Sequence, residues 1–284
     1  AAARAGIPWV QTFHALGVVK QRHQGRRDTS PLVRIAVERE ICRRADAVIA
    51  TCRDEVDELR VLAGRGVRTH VVPCGVDVER FTPAPPRPPD EPHRLLTVGR
   101  LVERKGVADV IAALAQLPDA TLAVAGGPPR DALDLDEEAL RLRRVAEEAG
   151  VADRLELLGS VDRDHMPHVM AGADVVVAAP WYEPFGIVPL EAMACGRPVV
   201  GTAVGGLLDT VVPGVTGELV APHDPTALAA AIRTLLDDPD RRRRYGEAGV
   251  ARVRASYTWA RVAELTERVL DSLVSRAASL EVAP

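Results

Sequence analysis

Short apolar runs alternate with amphipathic stretches along most of the chain. PWVQTFH (8–14), DAVIAT (46–51) and THVVPCG (69–75) have strand length and strand composition, while residues 31–45 and 53–64 repeat apolar positions at three- and four-residue spacing. The pattern restarts after residue 92. HRLLTVG (93–99), TLAVAGG (121–127), RLELLGS (154–160), DVVVAAP (174–180), PVVGT (198–202) and GELVA (217–221) predict strands, separated by helices over 106–116, 136–149, 164–171 and 186–195. Further helices are expected within 226–278. The strand segments are continuously apolar rather than alternating, which is what parallel strands need when helices cover both faces of their sheet. The pattern therefore predicts a doubly wound α/β domain.

Two features divide the chain. Five prolines between positions 83 and 89 cannot lie inside a helix or a central strand, so 76–92 is expected to be a linker. Residues 1–75 carry βαβαβ material too short for a complete domain of this kind, and the chain opens on Ala1 and runs directly into a strand. A longer N-terminal part is expected upstream. The predicted segments are thus 1–75, the linker 76–92, a complete Rossmann-like domain over 93–256, and a C-terminal helix over 257–284.

Composition changes this picture in only a few places. The chain has 284 residues, 47% of them hydrophobic, and a net charge of −4, which gives no support to nucleic-acid binding. The one basic block, Arg241–Arg244, follows DDPD and reads as the solvated face of a helix start. Cys42, Cys52, Cys74 and Cys195 show no CxxC or metal-ligand spacing and are expected to be reduced thiols of a cytoplasmic protein. No apolar run reaches the length of a membrane span. Lysine occurs only at Lys20 and Lys105; every other basic residue is arginine.

In open parallel sheets, ligands bind beyond the carboxyl ends of the strands. The chemistry-bearing residues follow the predicted strands: Gly99, Arg100 and Lys105; Gly126 and Gly127; Ser160 and Val161; then EPFGIVPLEAMACG, with Glu183 expected at a strand end and Glu191 inside the next helix. The start of that helix, Phe185, Gly186, Ile187 and Val188, offers backbone N–H groups and a positive dipole end to anionic or hydroxylic ligands. Glu191 sits among small apolar residues, where a carboxylate needs a partner. Lys105 opens a predicted helix opposite; a compact ammonium and the planar fork of Arg100 are not interchangeable at adjacent phosphates. Two decoys are set aside. Asp134–Asp136 (DLD) reads as a helix cap with an acidic first turn, and His165 and His168 lack a third ligand for zinc.

VGRLVERKG, EPFGIVPLEAMACGRPVVGTAVGG and VPCGVD together resemble the retaining glycosyltransferases of family 4, whose fold is the two-domain GT-B type. The resemblance implies that Arg100 and Lys105 hold the diphosphate of a nucleotide-sugar donor, that Glu191 binds the ribose and that Glu183 contacts the transferred sugar. The amides near Gly186 and Ile187 would meet sugar hydroxyls or phosphate, and the loop at Ser160 and Val161 the base. It also implies that 1–75 is the last part of an acceptor domain against which the C-terminal helix packs. No metal or other cofactor is implied, only the nucleotide-sugar co-substrate. TFHALGVVKQRHQG is similar to the subgroup that contains sucrose-phosphate synthase and the mycothiol-pathway glycosyltransferase. There the position of His14 stabilises the reacting sugar, and that of Arg34 takes an acceptor phosphate; Lys20 is a further acceptor-side candidate. The subgroup favours UDP over GDP. Ala15 stands where a phosphate-binding hydroxyl is expected, so a phosphorylated acceptor is in doubt. The acceptor, the sugar and the oligomeric state are open, and the missing N-terminal part leaves room for peripheral membrane contact. The alternative is a nucleotide- or sugar-binding module without turnover.

Overall fold

The computed structural model describes residues 7–25, 28–85 and 92–281. The chain divides into two compact units, Ala1–Gly75 with Trp259–Pro284, and Val76–Thr258. Residues 86–91 of the expected linker lie outside the described residues.

The smaller unit is a three-stranded parallel sheet with helices. In chain order it contains β1 (Val10–Thr12), α1 (Gly17–Gln24), α2 (Arg34–Arg44), β2 (Ala47–Ala50), α3 (Arg53–Ala63), β3 (Thr69–Val71) and, from the far end of the chain, the helix Trp259–Glu281. The sheet order is β1-β2-β3. Helix α1 was not legible in the apolar pattern; its polar residues Lys20, Gln21, Arg22 and His23 break any stripe. The long C-terminal helix buries Val269 and Leu273 against Ala47 and Val72, with Val262 and Leu265 packed beside them. These four helix positions recur at the spacing that keeps one face of a helix on a sheet.

The larger unit contains β4 (His93–Val98), α4 (Val107–Leu114), β5 (Ala120–Ala125), α5 (Glu137–Glu148), β6 (Leu155–Gly159), α6 (Met166–Ala171), β7 (Val175–Ala178), α7 (Ile187–Ala194), β8 (Val199–Thr202), α8 (Leu207–Thr210), β9 (Gly217–Val220), α9 (Pro225–Leu236) and α10 (Pro239–Ser256). The six strands are parallel in the order β6-β5-β4-β7-β8-β9. Neighbouring residues serve opposite faces. Leu95, Val124 and Val177 pack with Ile111, Leu142 and Ile232 on one side, and Leu96, Ala125 and Val176 with Met170, Leu190 and Val253 on the other. That two-sided burial is the reason the strands read as unbroken apolar runs. The chain leaves β4 toward β6, then returns to place β7 beside β4. The carboxyl ends of β4 and β7 thus form the switch point at which such sheets bind ligands.

Three sequence features resolve here. Asp136 is a helix cap, its carboxylate accepting from the Ala139 N–H at 2.8 Å, so the DLD string is structural. All four cysteines are free, three of them buried. The basic block is not wholly a solvated face. Arg243 faces Asp240 and Glu247 at the surface, but Arg242 turns inward, donating to the carbonyls of Leu235 and Leu236 and standing 3.8 Å from buried Asp174. The α9 carbonyl end lacks partners of its own and draws the guanidinium in.

Candidate functional site

Because the six strands are parallel, every segment that follows one lies at the same rim. Backbone hydrogen bonds tie the first three together. Gly99 N–H donates to Ala125 O at 2.9 Å, Gly126 N–H to Gly159 O at 2.8 Å, and Ser160 N–H to Pro128 O at 2.8 Å. The Ser160 amide is therefore spent inside the protein, while the residue itself is exposed. Val161 packs on the α7 side of the core. Gly127 abuts Leu101.

The centre of the site is an ion pair between two segments. Lys105 does not open a helix as expected; it ends a 3-10 turn, Glu103–Lys105, and α4 begins at Val107. Gly106 between them has φ +67°, and a side chain there would sit 1.9 Å from Ala179 O. This turn therefore presses directly on the loop that follows β7. Glu183 lies in that loop rather than at a strand end, since β7 stops at Ala178. Lys105 Nζ donates to Glu183 Oε2 at 2.5 Å, with only 19% and 13% of the two side chains exposed. The carbonyl of Glu183 accepts from Gly206 N–H at 2.7 Å, which fixes the loop from the β8 side. Gly205 has φ +48°, and any side chain on it would lie 2.2 Å from that same carbonyl. Separate roles were expected for Lys105 and Glu183; the fold couples them. Arg100 is exposed and has no ion pair among the described residues.

Beside the pair, α7 presents an open end. Its cap, Gly186, is left-handed and no side chain caps the first turn. The N–H groups of Ile187 and Val188 lie outside the intrahelical ladder, and Pro189 has none to offer. Phe185 is half-buried just before. Glu191, one turn further, is half-buried, and its carboxylate has no hydrogen bond among the described residues. Burial pushes its pKa up to about 7, against a smaller opposing pull from Arg163. Partial burial thus disfavours the charged form of a carboxylate to which the described residues give no hydrogen bond.

The smaller unit holds the other candidates. His14 is exposed just past the end of β1, and its electrostatic influence reaches Glu55. Lys20 and Arg34 are engaged within the protein. Lys20 Nζ lies 2.9 Å from both Asp28 and Ser30 Oγ and draws the Asp28 carboxyl down to about 2. Arg34 pairs with Glu38 at 2.7 Å and donates to Ser30 Oγ and to the carbonyl of Ala15. Buried Glu38 in turn accepts from Gly17 N–H at 2.8 Å. The network fastens the 15–17 loop to α2. Among the described residues no group of three or more His, Cys, Asp or Glu side chains is placed to hold a metal ion, His165 and His168 included. Nor is any helix long and apolar enough to cross a membrane.

A doubly wound α/β unit with a cation–carboxylate pair and an open helix start at its switch point has the form of the ligand-binding proteins built on such sheets. The chain belongs to the glycosyltransferase family described as Glycosyl transferases group 1, whose profile matches residues 78–252, while a Glycosyltransferase Family 4 profile matches residues 1–80. It is 37% identical over 270 residues to a glycogen synthase of Mycobacterium tuberculosis, covering 93% of this chain and 63% of that one. It is 36% identical over 291 residues to a D-inositol 3-phosphate glycosyltransferase of Catenulispora acidiphila, covering 95% and 67%. Among solved structures, sucrose-phosphate synthase from Thermosynechococcus elongatus superposes with a TM-score of 0.84 at 36% identity, over 95% of this chain and 69% of that one. Anabaena HepE in complex with UDP gives 0.80 at 25% identity, over 96% and 74%. The chain thus spans about two thirds of the length of these relatives.

Proposed function

We propose that this chain is the donor-binding part of a retaining glycosyltransferase that takes its sugar from a nucleotide diphosphate donor without a metal ion. The observation that carries the reading is Glu191: a half-buried carboxylate with no hydrogen bond among the described residues, one turn past an open helix start. A ligand with paired hydroxyl donors would satisfy it, and the vicinal hydroxyls of a ribose are such a pair. UDP is favoured over GDP, because HepE is complexed with UDP and with UDP-glucose.

Mechanistically, the bond from the anomeric carbon to the diphosphate breaks and negative charge builds on the leaving oxygen. Arg100, Lys105 and the Ile187 and Val188 amides supply fixed positive charge there. Lys105 has three donors, so one stays on Glu183 while the others turn to phosphate. Glu183, anchored through its own carbonyl, orients the sugar. The acceptor hydroxyl adds from the face the diphosphate leaves, its proton passing to the departing phosphate, and configuration is retained. The acceptor itself is an unphosphorylated or phosphorylated hydroxyl compound.

Glu191→Gln tests the reading. Charge-assisted hydrogen bonds contribute about 1.5–3 kcal/mol, so UDP affinity by calorimetry is expected to fall roughly 10- to 150-fold at pH 8. The pH dependence carries a sign. With its pKa at about 7 in the ligand-free chain, Glu191 is mostly neutral at pH 6 and charged at pH 8. Wild-type affinity should rise across that window by up to about tenfold per pH unit below the pKa, and the part of the rise that belongs to Glu191 should vanish in Glu191→Gln. Equal affinities of wild type and variant for both UDP and GDP would refute the assignment.

A further inference from the structure

The loop that carries Glu183 is gripped from its other side by residues to which the proposed chemistry gives no task. His223, between β9 and α9, is the one non-glycine residue with positive φ among the described residues, at +61°. Any side chain is disfavoured there, and such conformations persist where the surroundings over-determine them. Its imidazole lies against the indole of Trp181, centroids 4.9 Å apart and planes at 52°. Its Nδ1 stands 3.6 Å from Asp109 Oδ2, a buried oxygen that accepts no hydrogen bond. Asp109 lies in the first turn of α4, four residues after Lys105. Trp181 is two residues before Glu183, and its N–H donates to Arg104 O at 2.9 Å, next to Lys105. Arg104 also spreads over the Tyr182 ring, 5.9 Å from its centroid. Three segments therefore meet at one imidazole: the start of α4, the β7 loop and the start of α9.

We infer that His223 is a positioning residue: by clamping Trp181 against the start of α4 it sets Glu183 opposite Lys105 and so shapes the diphosphate and sugar site. The aromatic face packs on the indole, while the buried Oδ2 of Asp109 stands 3.6 Å from the imidazole Nδ1. A purely local role for His223 would leave its strained backbone unexplained, since glycine would serve that turn better. The inference rests on reading the Lys105–Glu183 pair as part of the donor site.

His223→Gly separates the two roles, because it relieves the backbone and removes only the ring. The chain has three tryptophans, so Trp9→Phe with Trp259→Phe isolates the emission of Trp181. In that background, His223→Gly is expected to melt at the same temperature or higher, to make Trp181 more accessible to acrylamide quenching, and to lower UDP affinity about 3- to 10-fold, as for coupled neighbours. Trp181→Ala should lose a similar factor, and the double variant little more than either alone. Unchanged quenching would overturn the clamp. Greater quenching at unchanged UDP affinity would overturn its link to the site, and a fall in melting temperature that accounts for the lost affinity would reduce His223 to a structural residue. If wild type fails to bind UDP, the nucleotide reading falls, and quenching with melting temperature still decides whether His223 clamps Trp181.

Discussion

Lys105→Ala should lower the rate at which UDP is released from a UDP-sugar by about 10²–10³, the effect typical of losing one pre-set charge at a developing anion. Two physical losses combine. The cation that meets the departing diphosphate disappears, and Glu183, with only 13% of its side chain exposed, is left without the partner 2.5 Å away. An unpaired half-buried carboxylate repels phosphate and is itself costly. Lys105→Ala combined with Glu183→Gln should therefore bind UDP more tightly than Lys105→Ala alone. Lys105→Arg should also turn over poorly. The lysine stem runs along Gly99, whose missing side chain would stand 3.6 Å from its Cδ and Cε, and a planar fork does not follow the path of a slim ammonium. Stopped-flow nucleotide release with the three variants is the measurement. Wild-type rates in Lys105→Arg would show that charge alone suffices at this position.

Gly106→Ala should be severely destabilising for so small a substitution. The left-handed conformation costs an alanine about 1–2 kcal/mol, and the new methyl would lie 1.9 Å from the Ala179 carbonyl, a backbone atom that cannot swing aside. A total of about 3 kcal/mol or more places it with the severe backbone mechanisms, and in a chain of this size that lowers the melting temperature by roughly 6–12 °C. Gly99→Ala is the comparator. Its methyl meets only ordinary van der Waals contacts at 3.6 Å, with no positive φ, so its melting temperature should stay close to wild type. Circular dichroism melts of the two variants side by side decide the matter. Equal melting temperatures would mean that the turn before α4 does not press on the β7 loop.

The Glu183 loop and the Lys105 turn show why parts of the site escaped sequence reading. VERKG contains too few residues to reveal a 3-10 turn ahead of the helix, and the apolar run DVVVAAP continues two residues past Ala178, where the strand stops. Trp181, Asp109 and His223 are 42 to 114 positions apart in the chain. Nothing local joins a tryptophan in PWYEP to a histidine before Asp-Pro. The one available hint is that glycine would suit the turn at 223 and histidine stands there instead.

What the sequence by itself determined is what depends on short-range periodicity and on residue chemistry. Two-sided apolar runs specify parallel strands, the glycines mark the turns after them, and the motifs around Arg100, Lys105, Glu183 and Glu191 carry the family resemblance and point to the rim proposed as the site. Only the tertiary structure decided which of these groups meet. Lys105 and Glu183 form a pair because β4 and β7 are neighbours at the switch point. Lys20 and Arg34, alike on paper to any surface cation, are consumed by Asp28, Ser30 and Glu38. Glu191 is singled out because α7 buries it without giving it a donor. Electrostatic and hydrogen-bond energies vary steeply over a few ångströms, and distances of that order between residues far apart in the chain are set by packing, not by spacing along it.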